Sequence, residues 1–320
     1  MGKTKVKDFN LEHTLECGQI FRINRVDGWY YVNAQDKFFK IKQIRNEIEF
    51  HGVDKEFIVH FFSLNENLPE ILKEINKDKY IKKSIDKYRG LRLIKQDPWE
   101  CLISFICSSA SNIPRIKSKI KALSESFGKK LTLDGVRDYA FPLPGKINDY
   151  KKIVDAKTGF RAKYILGANN TVDIKYLNSL RTLSYKSAKD ELKKINGVGD
   201  KVADCILLFS LGFNQAFPVD TWIKKTMQLL YFDNNNVSND RIREFGTNYF
   251  GAYAGYAQQY LFMYSRNDLG TSDMLMKWKN ETLETCLPTG RNDYEESSFF
   301  LYEPSYCHYM TLAKKRRLDF

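Results

Sequence analysis

A chain of 320 residues, 43% of them hydrophobic, is long enough for one large or two ordinary domains with real cores. Its longest apolar runs, such as Cys205–Phe209, fall far short of the roughly 20 residues a membrane span needs, and residues 1–10 hold no apolar signal core. An intracellular protein, cytoplasmic (nucleoid-associated) or nuclear, is therefore expected, and its formal charge of +12 favours a polyanionic partner, whose phosphates release counterions when neutralised.

From Phe9 to Phe50 the pattern is strand-like. Two β-rich runs flank Asp27-Gly28, a favoured tight-turn pair, and "FFKIKQIRNEIEF" continues in the same manner, which predicts an antiparallel sheet. After His51 the apolar period turns helical, and this first domain is expected to span residues 1–90. Asp97, Pro98 and Glu100 form a capping-box start for a buried helix through "CLISFICSS".

Further helices are predicted at Ile113–Phe127, Arg161–Asn170, Lys186–Ile195, Lys201–Leu211, Thr221–Tyr231, Arg241–Phe250 and Tyr253–Ser265, separated by Gly, Pro and Asn. Residues 91–270 thus read as a predominantly helical region, and the fold class as α+β. Residues 271–320 lose periodicity, end in "AKKRRLDF", and read as a C-terminal extension of unassigned role.

Cysteines 17, 101, 107, 205, 286 and 307 form no CxxC pair and mostly sit in apolar patterns, so buried thiols are expected in place of disulfides or ligands. The four histidines show no metal-binding spacing. No metal and no diffusible cofactor are expected.

In "DELKKINGVGDKVADCILLF" one amphipathic helix stops near Asn196, the chain crosses Gly197-Val198-Gly199, and a second helix starts at Asp200 or Lys201. Bare N–H groups and the helix dipole at such a start favour a phosphate, and Val198 is expected to plug the hairpin into the core. An ordinary αα-turn needs glycine just as often.

Lys201 is the sharper signal. Cations at a helix N-terminus are disfavoured by a few tenths to about 1 kcal/mol, and desolvation would add to that, so the free, nucleophilic amine is favoured. Asp220 follows Pro218-Val219 directly before a helical stretch and reads as its N-cap. Near a nucleophilic amine, the same carboxylate would stabilise a developing cationic sugar.

The stretches "ECGQIFR", "FICSSASNIPRI", "GVGDKVADC", "FPVD" and "AGYAQQYLF" occur in that order over residues 18–262, and together they resemble the 8-oxoguanine DNA glycosylase/AP lyases of the helix–hairpin–helix superfamily. The resemblance implies a bifunctional enzyme of base excision repair. It would act, as a monomer, on double-stranded DNA containing 8-oxoguanine, by base flipping, Lys201 attack at C1′, a Schiff base and β-elimination.

By the same resemblance Asp220 stabilises the sugar cation, and Gly197, Val198 and Gly199 contact phosphate. Gly18 would present its carbonyl to the lesion's N7–H, Phe262 and Cys205 would sandwich the flipped base, and Gln258 would read its Watson–Crick edge. Asn112, Arg115 and Arg161 fall where the family fills the vacated stack and meets the orphaned cytosine. Each has a plainer reading as a strand glycine, an apolar helix face or a solvated arginine.

Three positions depart from the family pattern: Ala110 replaces the first of three asparagines, Phe160 a tyrosine wedge, and Trp222 a histidine. Ala110 cannot hydrogen-bond an orphaned base, which predicts relaxed selectivity opposite the lesion, whereas Phe160 still wedges by stacking. Trp222 puts one phosphate or pocket contact in question. Two other readings stay open: a monofunctional alkyl-base glycosylase, against which Lys201 argues, and a non-catalytic helix–hairpin–helix DNA-binding protein. An iron–sulfur relative is set aside for want of four closely spaced cysteines.

Overall fold

The computed structural model describes residues 1–34 and 36–269. The expected extension at 271–320, with Cys286 and Cys307, lies outside the described residues. Among those described, no helix is long and apolar enough to cross a membrane.

Five antiparallel strands, β1 (Gly2–Lys5), β2 (Ile23–Val26), β3 (Trp29–Ala34), β4 (Lys37–Ile44) and β5 (Glu47–His51), form a sheet in the order β1-β5-β4-β3-β2. The register pairs Tyr30 with Ile41, Val32 with Phe39, and Ile41 with Phe50. Period-two alternation therefore sends these side chains to one face, where they pack against Leu11, Leu15, Ile58, Phe61 and Phe62.

Two segments differ from the strand-like reading of Phe9–Phe50. Leu11–Glu16 is a short helix capped by Asn10, whose side chain accepts from the His13 N–H at 2.9 Å. Gly2–Lys5 adds an edge strand to β5. A hairpin, β6 (Lys130–Leu133) and β7 (Val136–Tyr139), also interrupts a region expected to be helical.

The helical core is larger and takes in more of the chain than expected. Leu68, Ile71, Ile75, Ile81 and Ile85, on helices Leu68–Ile75 and Lys79–Lys87, pack into it and leave the sheet to its own cluster. The helices at Ile113–Phe127 and Thr221–Tyr231 run over the expected residues, and the other expected helices hold to within a few residues. Beyond Asp200–Ile206 the expected helix widens into a π-helical turn, Leu207–Leu211, ended by left-handed Gly212.

A buried ion pair joins the two cores. Arg22 donates to Glu100 at 2.6 Å, and its remaining N–H groups reach the Tyr139 carbonyl and Asn33. With both partners satisfied inside the protein, the pair locks β2, β3, the hairpin and the Pro98–Ser108 helix into one arrangement. The arm carrying Gly18 is held beside it. The side chain of Gln19 donates to the carbonyls of Thr14 and Arg92 and accepts from the Ile94 N–H.

Candidate active site

Asn10, Asp97, Asn112 and Asp220 each cap a helix by accepting the N–H three residues on, and three of these helix starts or ends border one cavity of about 600 Å³. Its wall brings together Gly18, Asn112, Lys201, Cys205, Asp220, Trp222, Gln258 and Phe262, which are separated by up to 244 residues in sequence.

Lys201 occupies the second position of the helix Asp200–Ile206, directly after the hairpin. Its Nζ donates to Ser108 Oγ at 3.0 Å and lies 4.9 Å from the centre of the Phe105 ring. Both partners belong to the C-terminal turn of the Pro98–Ser108 helix, whose exposed carbonyl dipoles favour a cation. The unfavourable field of the lysine's own helix is therefore offset across the cavity. Sequence reasoning missed Ser108 and Phe105, because nothing local links residue 108 to residue 201.

Asp220 caps Thr221–Tyr231, its Oδ1 accepting from the Ile223 N–H at 2.8 Å. The capping role is thus real, and the same carboxyl lines the cavity. Burial pushes it above the usual carboxylate range, opposed by the Ile223 N–H and by the positive charge of Lys201. Cys205, one turn beyond Lys201, is buried, and desolvation pushes its thiol up to about 12 against the pull of that same lysine. Cys17, Cys101, Cys107 and Cys205 are all buried free thiols.

Gly18 has φ +87, and a Cβ there would lie 3.0 Å from both Ile113 Cδ1 and the Arg266 guanidinium and 3.4 Å from the Phe262 ring. The positive φ calls for glycine at this wall, and an added Cβ would also require the ends of the Ile113 and Arg266 side chains to give. Gln259 fixes the arm by donating to the Cys17 carbonyl at 3.0 Å. Gln258 donates to the Pro218 carbonyl at 3.1 Å, while its Oε1 is, among the described residues, the one buried side-chain oxygen or nitrogen with no hydrogen-bond partner. An acceptor left unmatched at a cavity wall suits an incoming N–H donor. Phe262 is half-buried with the Arg266 guanidinium 5.6 Å over its ring.

The hairpin has the expected form. Val198 is 6% exposed and joins the helical core, Gly197 has φ +91 and packs against the Tyr164 ring, and Gly199, exposed, precedes the helix with nothing within 4 Å of an added Cβ. Phe160, 56% exposed, projects beside them and meets Tyr164 edge to face at 6.4 Å between centroids.

Two expected DNA contacts are otherwise engaged in this structure. Arg161 is buried, and its guanidinium donates to the carbonyls of Ser109, Ala110 and Thr158 while stacking on Phe160. A planar fork that finds several convergent carbonyls is held there in place of projecting to solvent. The Asn112 side chain accepts from the Arg115 N–H at 3.0 Å as a helix cap, and Arg115 itself is exposed. The loop they shape holds Ala110 at φ +45, a backbone conformation that asparagine tolerates better than alanine. Among the described residues no group of three or more His, Cys, Asp or Glu side chains is arranged to hold a metal ion.

Comparison with known proteins follows the same line. Residues 3–102 match the family model of the 8-oxoguanine DNA glycosylase N-terminal domain. An N-glycosylase/DNA lyase of Saccharomyces cerevisiae is 31% identical over an alignment covering 82% of this chain and 84% of its own. N-glycosylase/DNA lyase OGG1 of Arabidopsis thaliana is 39% identical over 55% of this chain and 52% of its own. The fold superposes on the Clostridium acetobutylicum 8-oxoguanine glycosylase/lyase, solved with double-stranded DNA containing cytosine opposite 8-oxoguanine, with a TM-score of 0.77, 38% identity, and coverage of 83% of this chain and 98% of the other. With a relative 31% identical across more than four-fifths of both chains and a superposition of this quality, the protein belongs to the 8-oxoguanine DNA glycosylase family of N-glycosylase/DNA lyases.

Proposed function

We propose that the protein excises 8-oxoguanine from duplex DNA and then cleaves the strand, as a bifunctional glycosylase/lyase. The observation that carries this reading is the convergence of Lys201 and Asp220 on one cavity that Gly18, Gln258 and Phe262 also line. The flipped base enters between Phe262 and Cys205. The unmatched Gln258 Oε1 accepts from its Watson–Crick N–H groups, and the Gly18 carbonyl accepts the N7–H that guanine lacks.

The free amine of Lys201 attacks C1′ as the bond to the base breaks, and ionised Asp220 stabilises the positive charge that builds on the sugar. Cleavage of the C1′–O4′ bond, with O4′ taking up a proton as the bonded nitrogen gives one up, opens the sugar ring to the imine, through which a C2′ proton and the 3′ phosphate are then eliminated. Gly197, Val198 and Gly199 hold phosphate, Phe160 and Trp222 flank the opened duplex, and Asn112, Arg115 and Arg161 face the orphaned base once Arg161 leaves the Ser109 and Ala110 carbonyls. Such a substrate puts the protein in the nucleoid or the nucleus.

Borohydride trapping on an 8-oxoguanine–cytosine duplex tests the reading. The native protein should give a covalent band and a nicked strand, and Lys201→Gln should abolish both while leaving duplex affinity within about threefold, since a neutral side chain of similar length replaces the amine. A Lys201→Gln protein that still traps, or a native protein that releases methylated purine without nicking, overturns it.

A further inference from the structure

Lys201 is a long, flexible side chain, and a nucleophile gains from being held at one attack geometry before its substrate arrives. Its amine interacts with the Cys205 thiol and donates to Ser108 Oγ at 3.0 Å. The Ser108 hydroxyl proton is already committed, because Oγ donates to the Phe105 carbonyl at 2.7 Å in the last turn of its own helix. With its proton spent, Oγ turns its lone pairs to the lysine and acts there only as an acceptor. It takes an N–H from the amine and leaves the nitrogen lone pair free. In a tetrahedral amine that lone pair points away from Ser108, and Ser108 and Lys201 line the same cavity.

The Phe105 ring, 4.9 Å from Nζ, completes the support from the same helical turn. The Pro98–Ser108 helix is held from the other end by the Asp97 cap and by the buried pair between Glu100 and Arg22, so the acceptor stands on a rigid element. A serine bonded back to its own helix is common near a C-terminus and needs no lysine. What that does not account for is the second contact, made 93 residues away along the chain to the proposed nucleophile.

We propose that Ser108 is a positioning residue that orients the Lys201 amine for attack through its hydroxyl oxygen. This rests on Lys201 being the nucleophile. Because Ser108 acts through the lysine and not through the base pocket, its effect extends to imine formation at an abasic site already lacking a base.

The test compares Ser108→Ala and Ser108→Thr with the native protein in single-turnover borohydride trapping, on an 8-oxoguanine duplex and on a preformed abasic duplex, alongside affinity for a tetrahydrofuran abasic analogue. Ser108→Ala should lower the trapping rate by about tenfold on both substrates, as loss of one hydrogen bond to a reacting group would, with affinity within about twofold. Ser108→Thr, which keeps the acceptor, should recover to within about threefold of the native rate on both substrates, a rescue that simple packing loss would not give. Trapping by Ser108→Ala at the native rate, a loss confined to the 8-oxoguanine duplex, or a loss confined to affinity overturns the inference. Failure of the native protein to trap at all removes instead the reading of Lys201 on which it rests.

Discussion

The two glycines of the hairpin look alike in sequence, and the structure assigns them opposite reasons. Gly197 has φ +91, and an added Cβ would lie 2.7 Å from both Cβ and Cγ of Tyr164. A left-handed backbone costs a non-glycine residue about 1–2 kcal/mol, and overpacking of this kind about 1–3 kcal/mol, so Gly197→Ala should cost about 2–5 kcal/mol. Gly199 has φ −95, and nothing lies within 4 Å of its added Cβ. Neither conformation nor packing requires glycine there, and Gly199→Ala should leave stability unchanged or raise it by up to about 1 kcal/mol through the unfolded chain. What a methyl group at 199 obstructs is a ligand approaching the open N–H groups of the following helix. Urea unfolding and salt-titrated duplex binding of both variants measure this. Gly199→Ala should bind undamaged duplex about tenfold more weakly, the effect of one lost phosphate contact. Adding Tyr164→Ala to Gly197→Ala should return only the overpacking share. Native-level DNA affinity in Gly199→Ala, or native stability in Gly197→Ala, refutes this account of the hairpin.

Asp97 and Ala110 provide two more expectations. Burial raises the Asp97 carboxyl to about 6, so the native state holds that proton more tightly than the unfolded chain, and stability falls as pH rises from about 4 to about 6. Asp97→Asn keeps a capping oxygen without the charge. It should therefore stabilise the protein by up to about 3 kcal/mol at pH 8 and by almost nothing at pH 4, read from urea midpoints at the two pH values; an equal change at both would contradict the burial argument. Ala110→Asn should gain about 0.5–1 kcal/mol at φ +45 and sharpen the preference for cytosine, measured as trapping rates against the four opposite bases; unchanged ratios would show that Ala110 does not set that preference.

Helix starts were readable because capping is local. The side chains of Asp97, Asn112 and Asp220 accept from residues three positions on, and the pattern that announces the cap is also the one that forms it. The hairpin at residues 130–139 carried a usable signal as well. Asp134-Gly135 turns with φ +48 and +80, close to the +49 and +78 of Asp27-Gly28, but strands of four residues are too short for alternation to stand out among helices. The helix Leu11–Glu16, of six residues, fails the same way. Long side chains were the least legible. Arg161 and Asn112 belong to segments placed correctly, yet where an arginine fork or an amide spends its hydrogen bonds depends on carbonyls that only the fold assembles, here those of Ser109, Ala110 and Thr158.

The same reasoning explains why Lys201 stood out and why its partner did not. From sequence the lysine meets only the positive end of its own helix, and the position carries a cost with no visible return. In the fold it faces the negative end of the Pro98–Ser108 helix, with Ser108 Oγ and the Phe105 ring as its immediate contacts, while the Asp220 carboxyl, itself at a helix mouth, lines the same cavity. Three helix termini thus meet at one place. Two are N-terminal and favour anions, which suits a phosphate at Gly197–Gly199 and a carboxylate at 220. The third is C-terminal and holds the one group that has to be an amine. A lysine held in this way by a hydroxyl oxygen and an aromatic ring, on a wall it shares with Asp220, is fixed at the cavity by contacts that only the fold assembles.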